Sequence, residues 1–194
     1  MRVSKKGEYA LRALIDLGIA AEVGRPLIQV SELADSEKIP VKFLEQIMQV
    51  LKDAGIIESR RGRYGGYCLA VPAGKIMVGQ VVRFVDGPLA PIGCVSQTAY
   101  EKCSCPDETH CGLRMLMLDV RNAIASILDR YSLADVVEVT LRKMRRDGVA
   151  LPFAPTARPS TGRAGRKART RPTSAGSLQP VEGLINNVLG DYAI

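Results

Sequence analysis

The sequence predicts a mainly α-helical fold with one short β-hairpin and a disordered basic C-terminal tail. Apolar residues recur at helical spacing over most of residues 5–147. Only residues 56–71 switch to the alternating apolar pattern of a strand pair. Residues 151–180 are rich in Pro, Gly, Ser, Thr, Ala and Arg and contain no acidic residue, which predicts a disordered segment.

The N-terminal part of the chain predicts three helices. Residues 5–21 form an amphipathic pattern, and Ser31 can cap a short helix that runs to about Asp35. Pro40 can open a third helix that runs to Asp53, and Gly55 is placed to end it. Two short helices joined by a turn are the order of a helix-turn-helix.

A glycine-rich basic turn at residues 60–66 separates two strand candidates, residues 56–60 and residues 67–71. Its glycines allow a tight tip, and its arginines leave the turn strongly positive. A helix-turn-helix followed by a basic hairpin is the order of a winged helix-turn-helix. Residues 1–75 are therefore predicted to form a DNA-binding domain of that type.

Residues 76–147 are predicted to hold a cysteine loop at residues 94–111 and the helices that flank it. A short helix at residues 75–86 precedes the loop, and a long helix at residues 112–131 follows it. Ser132 and Asp135 form a capping-box pattern that opens a last helix. The long helix carries an apolar stripe that consists of Leu113, Leu116, Met117, Val120, Ile124, Ile127 and Leu128.

Charge and composition narrow the classes of function. The net charge is +7, and the basic tail at residues 148–194 adds to it, which suits double-stranded DNA as a partner. No run approaches the roughly 18 apolar residues of a membrane span, and the N-terminus lacks the apolar core of a signal peptide. A cytoplasmic protein without a membrane partner is therefore expected. The sequence shows no paired carboxylates, nucleophile elbow or phosphate loop, so we expect neither an enzyme nor a small-molecule substrate.

The third helix has two distinct faces. Its apolar face, which is predicted to join the core, consists of Leu44, Ile47, Met48 and Leu51. Its polar face consists of Lys42, Glu45, Gln46 and Gln49. Such side chains can bind base edges, and the helix-turn-helix order favours this over an ordinary solvated face. In the basic turn, Arg60, Arg61 and Arg63 suit phosphates or a narrow minor groove.

Four of the five cysteines lie in one polar segment, residues 94–111, called the cysteine segment below. They are Cys94, Cys103, Cys105 and Cys111. Such a group can hold zinc, an iron–sulfur cluster or two disulfides, but no two of the cysteines are separated by the two to four residues that are usual in structural zinc sites. Because cytoplasmic cysteines are usually reduced, a cluster is favoured over disulfides. His110 is expected to be a loop histidine, and Cys68 a packing residue.

Over roughly residues 1–147 the chain resembles a family of bacterial winged-helix regulators. The family includes the iron–sulfur cluster regulator, the nitric-oxide-sensitive repressor and the rhizobial iron regulator. The resemblance rests on the loop cysteines and on Glu8-Tyr-Ala-Leu-Arg12, Phe43-Leu-Glu-Gln46, and Arg61-Gly with Gly65-Gly-Tyr67. It implies a homodimer that pairs through the long helix after the loop.

The resemblance also implies which residues bind the cluster. The three-cysteine pattern of cluster-binding relatives falls on Cys94, Cys105 and Cys111. Arg114 stands where the two-iron regulator has a histidine ligand, so [4Fe–4S] is favoured over [2Fe–2S]. Glu8 stands where the nitric-oxide-sensing branch has an acidic ligand from the partner subunit, and Cys103 is an extra cysteine. The fourth ligand is therefore open between Glu8 and Cys103.

Together these features predict a homodimeric transcription regulator that senses iron, redox state or nitric oxide through an iron–sulfur cluster. Two alternatives stay open. One is a cluster-free regulator that responds through cysteine thiols or a protein partner. The other is an enzyme or electron carrier that uses the cluster.

Overall fold

The structure is a computed structural model that describes residues 3–153. Within them the predicted mainly α-helical fold with one hairpin is confirmed. No helix in this range is long and apolar enough to cross a membrane. The elements are α1 (Lys5–Glu22), α2 (Val30–Glu37), α3 (Val41–Asp53), β1 (Ile57–Arg60), β2 (Gly66–Leu69), α4 (Val78–Asp86), α5 (Gly112–Leu128) and α6 (Leu133–Arg146).

Among the described residues, the helix α1 makes the most extensive packing contacts, with α3, α4 and α6. Ser4 caps it by accepting a hydrogen bond from the Gly7 N–H at 3.0 Å, and the Ser4 side chain also contacts Asp86 at the end of α4. Gly18 is required where α1 meets α6, because a Cβ there would lie 2.6 Å from Val137. A single hydrophobic core thus takes residues from both sides of the predicted domain boundary at residue 75.

The wing, residues 57–69, is an antiparallel hairpin in which Ile57 pairs with Leu69 and Arg60 with Gly66. A backbone bridge between Ile28 and Tyr67 attaches it to the segment before α2, with N–O distances of 2.8 and 3.1 Å. Gly66 is needed for this approach, since a Cβ there would lie 2.5 Å from the Ile28 carbonyl oxygen. The wing is therefore fixed to the helix-turn-helix by main-chain contacts.

Tertiary pairing moves three predicted helix ends. The helix α2 begins after Gln29 instead of Ser31, because the bridge at Ile28 keeps the preceding chain extended. The helix α4 begins at Val78 instead of residue 75, because a 3-10 turn and a backbone bridge from Met77 to Ser132 come first. The same bridge ends α5 at Leu128, three residues before its predicted end.

The C-terminal side shows one confirmed prediction and one correction. The predicted capping box is present: Ser132 and Asp135 bond each other's backbone N–H groups at 2.8 and 3.2 Å. The prediction of disorder is wrong for the first residues of the segment, because Leu151 and Phe153 pack against the core. Burial of their apolar side chains lowers the free energy of the folded chain. Residues 154–194, with the rest of that prediction, lie outside the described residues.

Candidate DNA-reading surface and cysteine cavity

The two predicted faces of α3 are confirmed as a buried face and an exposed face. All four apolar residues of the predicted core face are fully buried. Lys42, Glu45, Gln46 and Gln49 are all exposed along the opposite face. Gln49 also donates a hydrogen bond to Asp53 at 2.7 Å, which restricts the rotation of the Gln49 side chain in the absence of DNA. The exposed row has the length and chemistry for contacts with base edges.

The tip of the wing is positively charged and exposed. Arg61, Arg63 and Tyr64 are exposed, and the Arg63 guanidinium lies 5.9 Å from the centre of the Tyr64 ring. Arg60 is also exposed and pairs with Glu58 at 3.2 Å. Cys68 is buried beneath this surface, as predicted, and its thiol donates to Glu58 at 3.3 Å. Burial and this hydrogen bond raise the pKa of the Cys68 thiol.

Side chains of α1 contact both helices of the helix-turn-helix. The Tyr9 ring packs edge-on against Phe43 in the first turn of α3, with 5.8 Å between ring centres. Arg12 donates to the Glu37 carboxylate at 2.5 Å and to the Glu37 carbonyl at 2.6 Å, at the end of α2. The turn that follows contains Lys38 in the left-handed region, at φ 54°. These contacts join α1 directly to both α2 and α3.

The four cysteines of the cysteine segment line one cavity at the start of α5, called the cysteine cavity below. Its volume is about 310 Å³. Cys94 is 5% exposed in a short 3-10 turn, and Cys111 is the N-terminal cap of α5. Cys105 is exposed and within hydrogen-bonding reach of Cys103 and Cys111. All five cysteines are free thiols, so the described structure contains no disulfide pair.

Neighbouring thiols and burial oppose ionisation in the cysteine cavity. The hydrogen bond with Cys103, followed by burial, raises the pKa of Cys105 to about 11. Burial, followed by the charge of Cys103, raises the pKa of Cys94. Thiols with a raised pKa react slowly as nucleophiles, whereas bound iron displaces their protons.

The donor arrangement suits a group larger than one metal ion. Within residues 3–153, no three Cys, His, Asp or Glu side chains are close enough to hold a single ion. The four cysteines nevertheless share one cavity, and the two observations agree if the occupant bridges separated thiolates. An iron–sulfur cluster would do this, since its protein ligands are distributed over more than one iron. The residues therefore fit a cluster better than a zinc ion.

The cysteine cavity is also lined by two charged side chains that the sequence analysis did not assign to it. They are Glu101 and Lys102, and Glu101 lies against the backbone of Gly93. Arg114 also lines it and contacts the Cys94 carbonyl at 3.3 Å. The only feature of the sequence that could have indicated a place for these three side chains in the cavity is that they lie close to the cysteines along the chain.

Glu8 and His110 lie outside this cavity in their own subunit. Glu8 is paired with Lys5 at 2.7 Å and with Arg12 at 3.6 Å. The hydrogen bond from Lys5 is the main reason that the pKa of Glu8 is lowered. His110 is exposed and lies 2.6 Å from Asp107, so it remains a loop histidine as expected.

The apolar stripe of α5 is largely left uncovered by the other residues of the described range, 3–153. The helix contacts α4 and the 3-10 turn around Cys94, and Arg121 is its only fully buried residue. Leu113 and Leu116 are each 57% exposed, and Met115 and Ile127 are also exposed. Contiguous exposed apolar side chains of this kind mark interaction surfaces.

Known proteins match this chain over most of its helical part. The family model Rrf2, described as an iron-dependent transcriptional regulator, matches residues 3–139. An rrf2-like protein of Rhodobacter capsulatus is 35% identical over 137 residues, which cover 70% of this chain and 91% of that protein.

Two solved structures are similar to this one and confirm the winged-helix fold. The global cysteine regulator CymR of Bacillus subtilis has a TM-score of 0.60 at 27% identity and covers 72% of this chain and 98% of its own. IscR of T. potens has a TM-score of 0.57 at 26% identity and covers 77% of this chain and 93% of its own. The chain belongs to the Rrf2 family of helix-turn-helix transcriptional regulators, and it is a regulator rather than an enzyme.

Proposed function

We propose that this regulator is a homodimer that reads double-stranded DNA with α3 and the wing and holds an iron–sulfur cluster in the cysteine cavity. One observation carries the proposal: four cysteines line a single cavity at the start of a helix with an exposed apolar face. That position joins the cysteines to the surface through which a second subunit would bind.

Three cysteines are the proposed cluster ligands, namely Cys94, Cys105 and Cys111. The fourth ligand is either Cys103, which lines the same cavity, or Glu8 of the partner subunit. We favour a [4Fe–4S] cluster, because Arg114 offers no nitrogen lone pair as a ligand. Such a cluster would supply an iron–sulfide group that oxidants, nitric oxide or iron shortage alter or remove.

The residues of α1 explain how the cysteine cavity would influence DNA binding. Glu8, Tyr9 and Arg12 lie within the first half of α1; Tyr9 contacts α3, and Arg12 contacts the end of α2. If Glu8 is drawn to the cavity of the partner subunit, α1 is fixed relative to the dimer axis. The two α3 helices are then biased toward one spacing, which is a shift between populations of the dimer.

The proposed DNA contacts divide into two kinds. Lys42, Glu45, Gln46 and Gln49 would contact base edges in the major groove. Arg60, Arg61 and Arg63 would contact phosphates or a narrow minor groove, which sets affinity more than sequence preference. The dimer would form by pairing the exposed stripes of two α5 helices.

Anaerobic purification tests the cluster. We expect visible absorption together with iron and sulfide in the wild-type protein, and loss of all three in Cys94→Ser, Cys105→Ser and Cys111→Ser. Cys68→Ser is the matched control, because Cys68 lies in the wing. A colourless wild-type protein without iron or sulfide would sink the cluster proposal.

Two further variants assign the fourth ligand. Loss of the cluster in Glu8→Ala with retention in Cys103→Ala assigns the partner carboxylate. The reverse pattern assigns Cys103. Retention in both variants would exclude both candidates and direct attention to Glu101, which also lines the cavity.

A second candidate is a cluster-free regulator that responds through its thiols. It is favoured by the free, neighbouring thiols of Cys103, Cys105 and Cys111 and by the likeness to the cysteine regulator CymR. This candidate predicts that iron-free protein changes its DNA affinity between reductant and peroxide. Replacement of all four loop cysteines by serine would then remove the change.

A further inference from the structure

The cysteine segment lacks regular secondary structure over most of its length. Between the 3-10 turn at Gly93–Val95 and the start of α5, it forms neither helix nor strand. Its backbone is fixed locally, for example by Glu101 N–H donating to the Gly93 carbonyl at 3.2 Å and Cys111 N–H to the Glu108 carbonyl at 3.4 Å. Within residues 3–153 no backbone hydrogen bond joins the first part of the segment to its last part, so the hydrogen bonds between them come from side chains.

Three side chains form such a connection across the segment. The Tyr100 hydroxyl lies 2.7 and 2.9 Å from the two carboxylate oxygens of Glu108. Arg114 Nε lies 3.2 Å from Glu108 Oε1 and donates to the Cys94 carbonyl at 3.3 Å. The set links the first cysteine of the segment to its middle, to its end and to the first turn of α5.

We propose that Arg114, Glu108 and Tyr100 are positioning residues that assemble the cysteine cavity before any cluster is bound. Arg114 is the centre of the set, because one guanidinium contacts both the turn of Cys94 and the carboxylate that Tyr100 holds. Within residues 3–153 it makes the one side-chain hydrogen bond that joins the turn of Cys94 to α5. The inference that this assembly speeds cluster loading rests on the proposed function, whereas the assembly itself does not.

The planar guanidinium suits this task for a physical reason. The Arg114 Nε–H donates to the Cys94 carbonyl, and the same nitrogen lies 3.2 Å from Glu108 Oε1. The planar, permanently charged guanidinium holds this nitrogen within the side chain, between the two oxygens, and lysine has no such nitrogen. Lys102 lines the same cavity, but it makes no ion pair within residues 3–153. Lys102 therefore provides a matched control that removes positive charge without removing the connection.

Alkylation of Cys94 in iron-free, full-length protein tests the proposal. Cys94 is buried, so iodoacetamide reacts with it only when the segment opens. We expect Arg114→Ala to raise the Cys94 rate about tenfold and Tyr100→Phe about threefold, because each removes a hydrogen bond to a charged group. The exposed Cys105 serves as the internal reference in the same mass spectrum.

The controls decide between positioning and charge. Lys102→Ala should leave the Cys94 rate near wild type, and Arg114→Lys should restore it only in part. Unchanged Cys94 rates in both Arg114→Ala and Tyr100→Phe would overturn the proposal, as would an equal increase in Lys102→Ala. Tyr100→Phe removes one exposed hydroxyl, so it keeps the test valid if Arg114→Ala does not fold.

Reconstitution with iron and sulfide under anaerobic conditions gives the second readout. We expect Arg114→Ala to incorporate iron more slowly than wild type and Lys102→Ala. Equal rates of incorporation would contradict the role in loading. A wild-type protein that takes up no iron would instead contradict the proposed function. The alkylation rates would still test whether Arg114, Glu108 and Tyr100 assemble the cysteine cavity.

Discussion

The helix-turn-helix with its wing and the cysteine segment are stabilised by different kinds of contact. In the former, fully buried side chains such as Leu14, Leu44 and Leu51 form a continuous core. In the cysteine segment, Cys94 and Val95 are the only buried side chains within residues 94–111. The other contacts that stabilise this segment are polar contacts among exposed or half-exposed side chains. This difference predicts that the helix-turn-helix with its wing, called the reader below, is the stable part of the molecule. It also predicts that a ligand can rearrange the cysteine segment at a low cost in free energy.

The largest expected effect separates the stability of the two regions. Leu44→Ala should lower the free energy of unfolding by about 2–5 kcal/mol, because it opens a cavity in a fully packed core. Cys105→Ser should change it by less than about 0.5 kcal/mol in iron-free protein, because Cys105 is exposed. Urea unfolding at fixed protein concentration measures both, and similar losses would contradict the division.

The second prediction concerns the surface beside the cysteines. Leu116→Glu should weaken self-association by about 2–4 kcal/mol, because it places charge in the proposed apolar interface. Sedimentation velocity measures the dimer, and Glu138→Gln on the exposed side of α6 is the control. An unchanged dimer in Leu116→Glu would show that α5 is not the interface.

A third prediction concerns the pH dependence of the reader's core. Asp16 is 4% exposed, and burial, followed by the charge of Glu37, raises its pKa to about 7. Since the folded protein holds this proton more tightly than the unfolded chain, the stabilisation is complete below about pH 4 and is lost as the pH rises to about 7.

Asp16→Asn should therefore be more stable than wild type near neutral pH, by on the order of 1–4 kcal/mol. It should also lack the fall in unfolding free energy between about pH 4 and 7. Urea unfolding across that range measures the difference, with the exposed Asp35→Asn as control. Parallel pH profiles for wild type and Asp16→Asn would refute the assignment.

The smallest expected effect lies at the wing tip. Arg61→Ala and Arg63→Ala should each weaken DNA binding and reduce the slope of log affinity against log salt by about 1. Arg146→Ala, at the exposed end of α6, removes the same charge away from the wing. If all three variants show the same slope, the wing does not contact phosphates.

The same division explains what the sequence could predict. The helix α3 was predicted to its last residue because its apolar positions follow helical spacing and Gly55 takes a left-handed φ of 69° after it. The start of α4 was misplaced because the bridge from Met77 to Ser132 depends on residues far apart in sequence. Periodicity reports local geometry, and it carries no information on such pairings.

The cysteine cavity shows the same limit. The spacing of the cysteines indicated a site, but the contacts of Arg114 with Cys94 and Glu108 depend on the folded path of the segment. The burial of Asp16 was likewise not predicted, because a charged residue in a helix is normally expected at the surface.

The most direct test of the central claim is the DNA affinity of one protein with and without its iron. Fluorescence anisotropy on a DNA site enriched by the protein itself should show at least a roughly tenfold difference between anaerobically purified and iron-stripped wild type, a coupling of about 1.4 kcal/mol. The Cys94→Ser, Cys105→Ser, Cys111→Ser triple variant should bind like the stripped protein under both conditions. Identical titration curves for iron-loaded and stripped wild type would contradict the claim that the cysteine segment controls the reader.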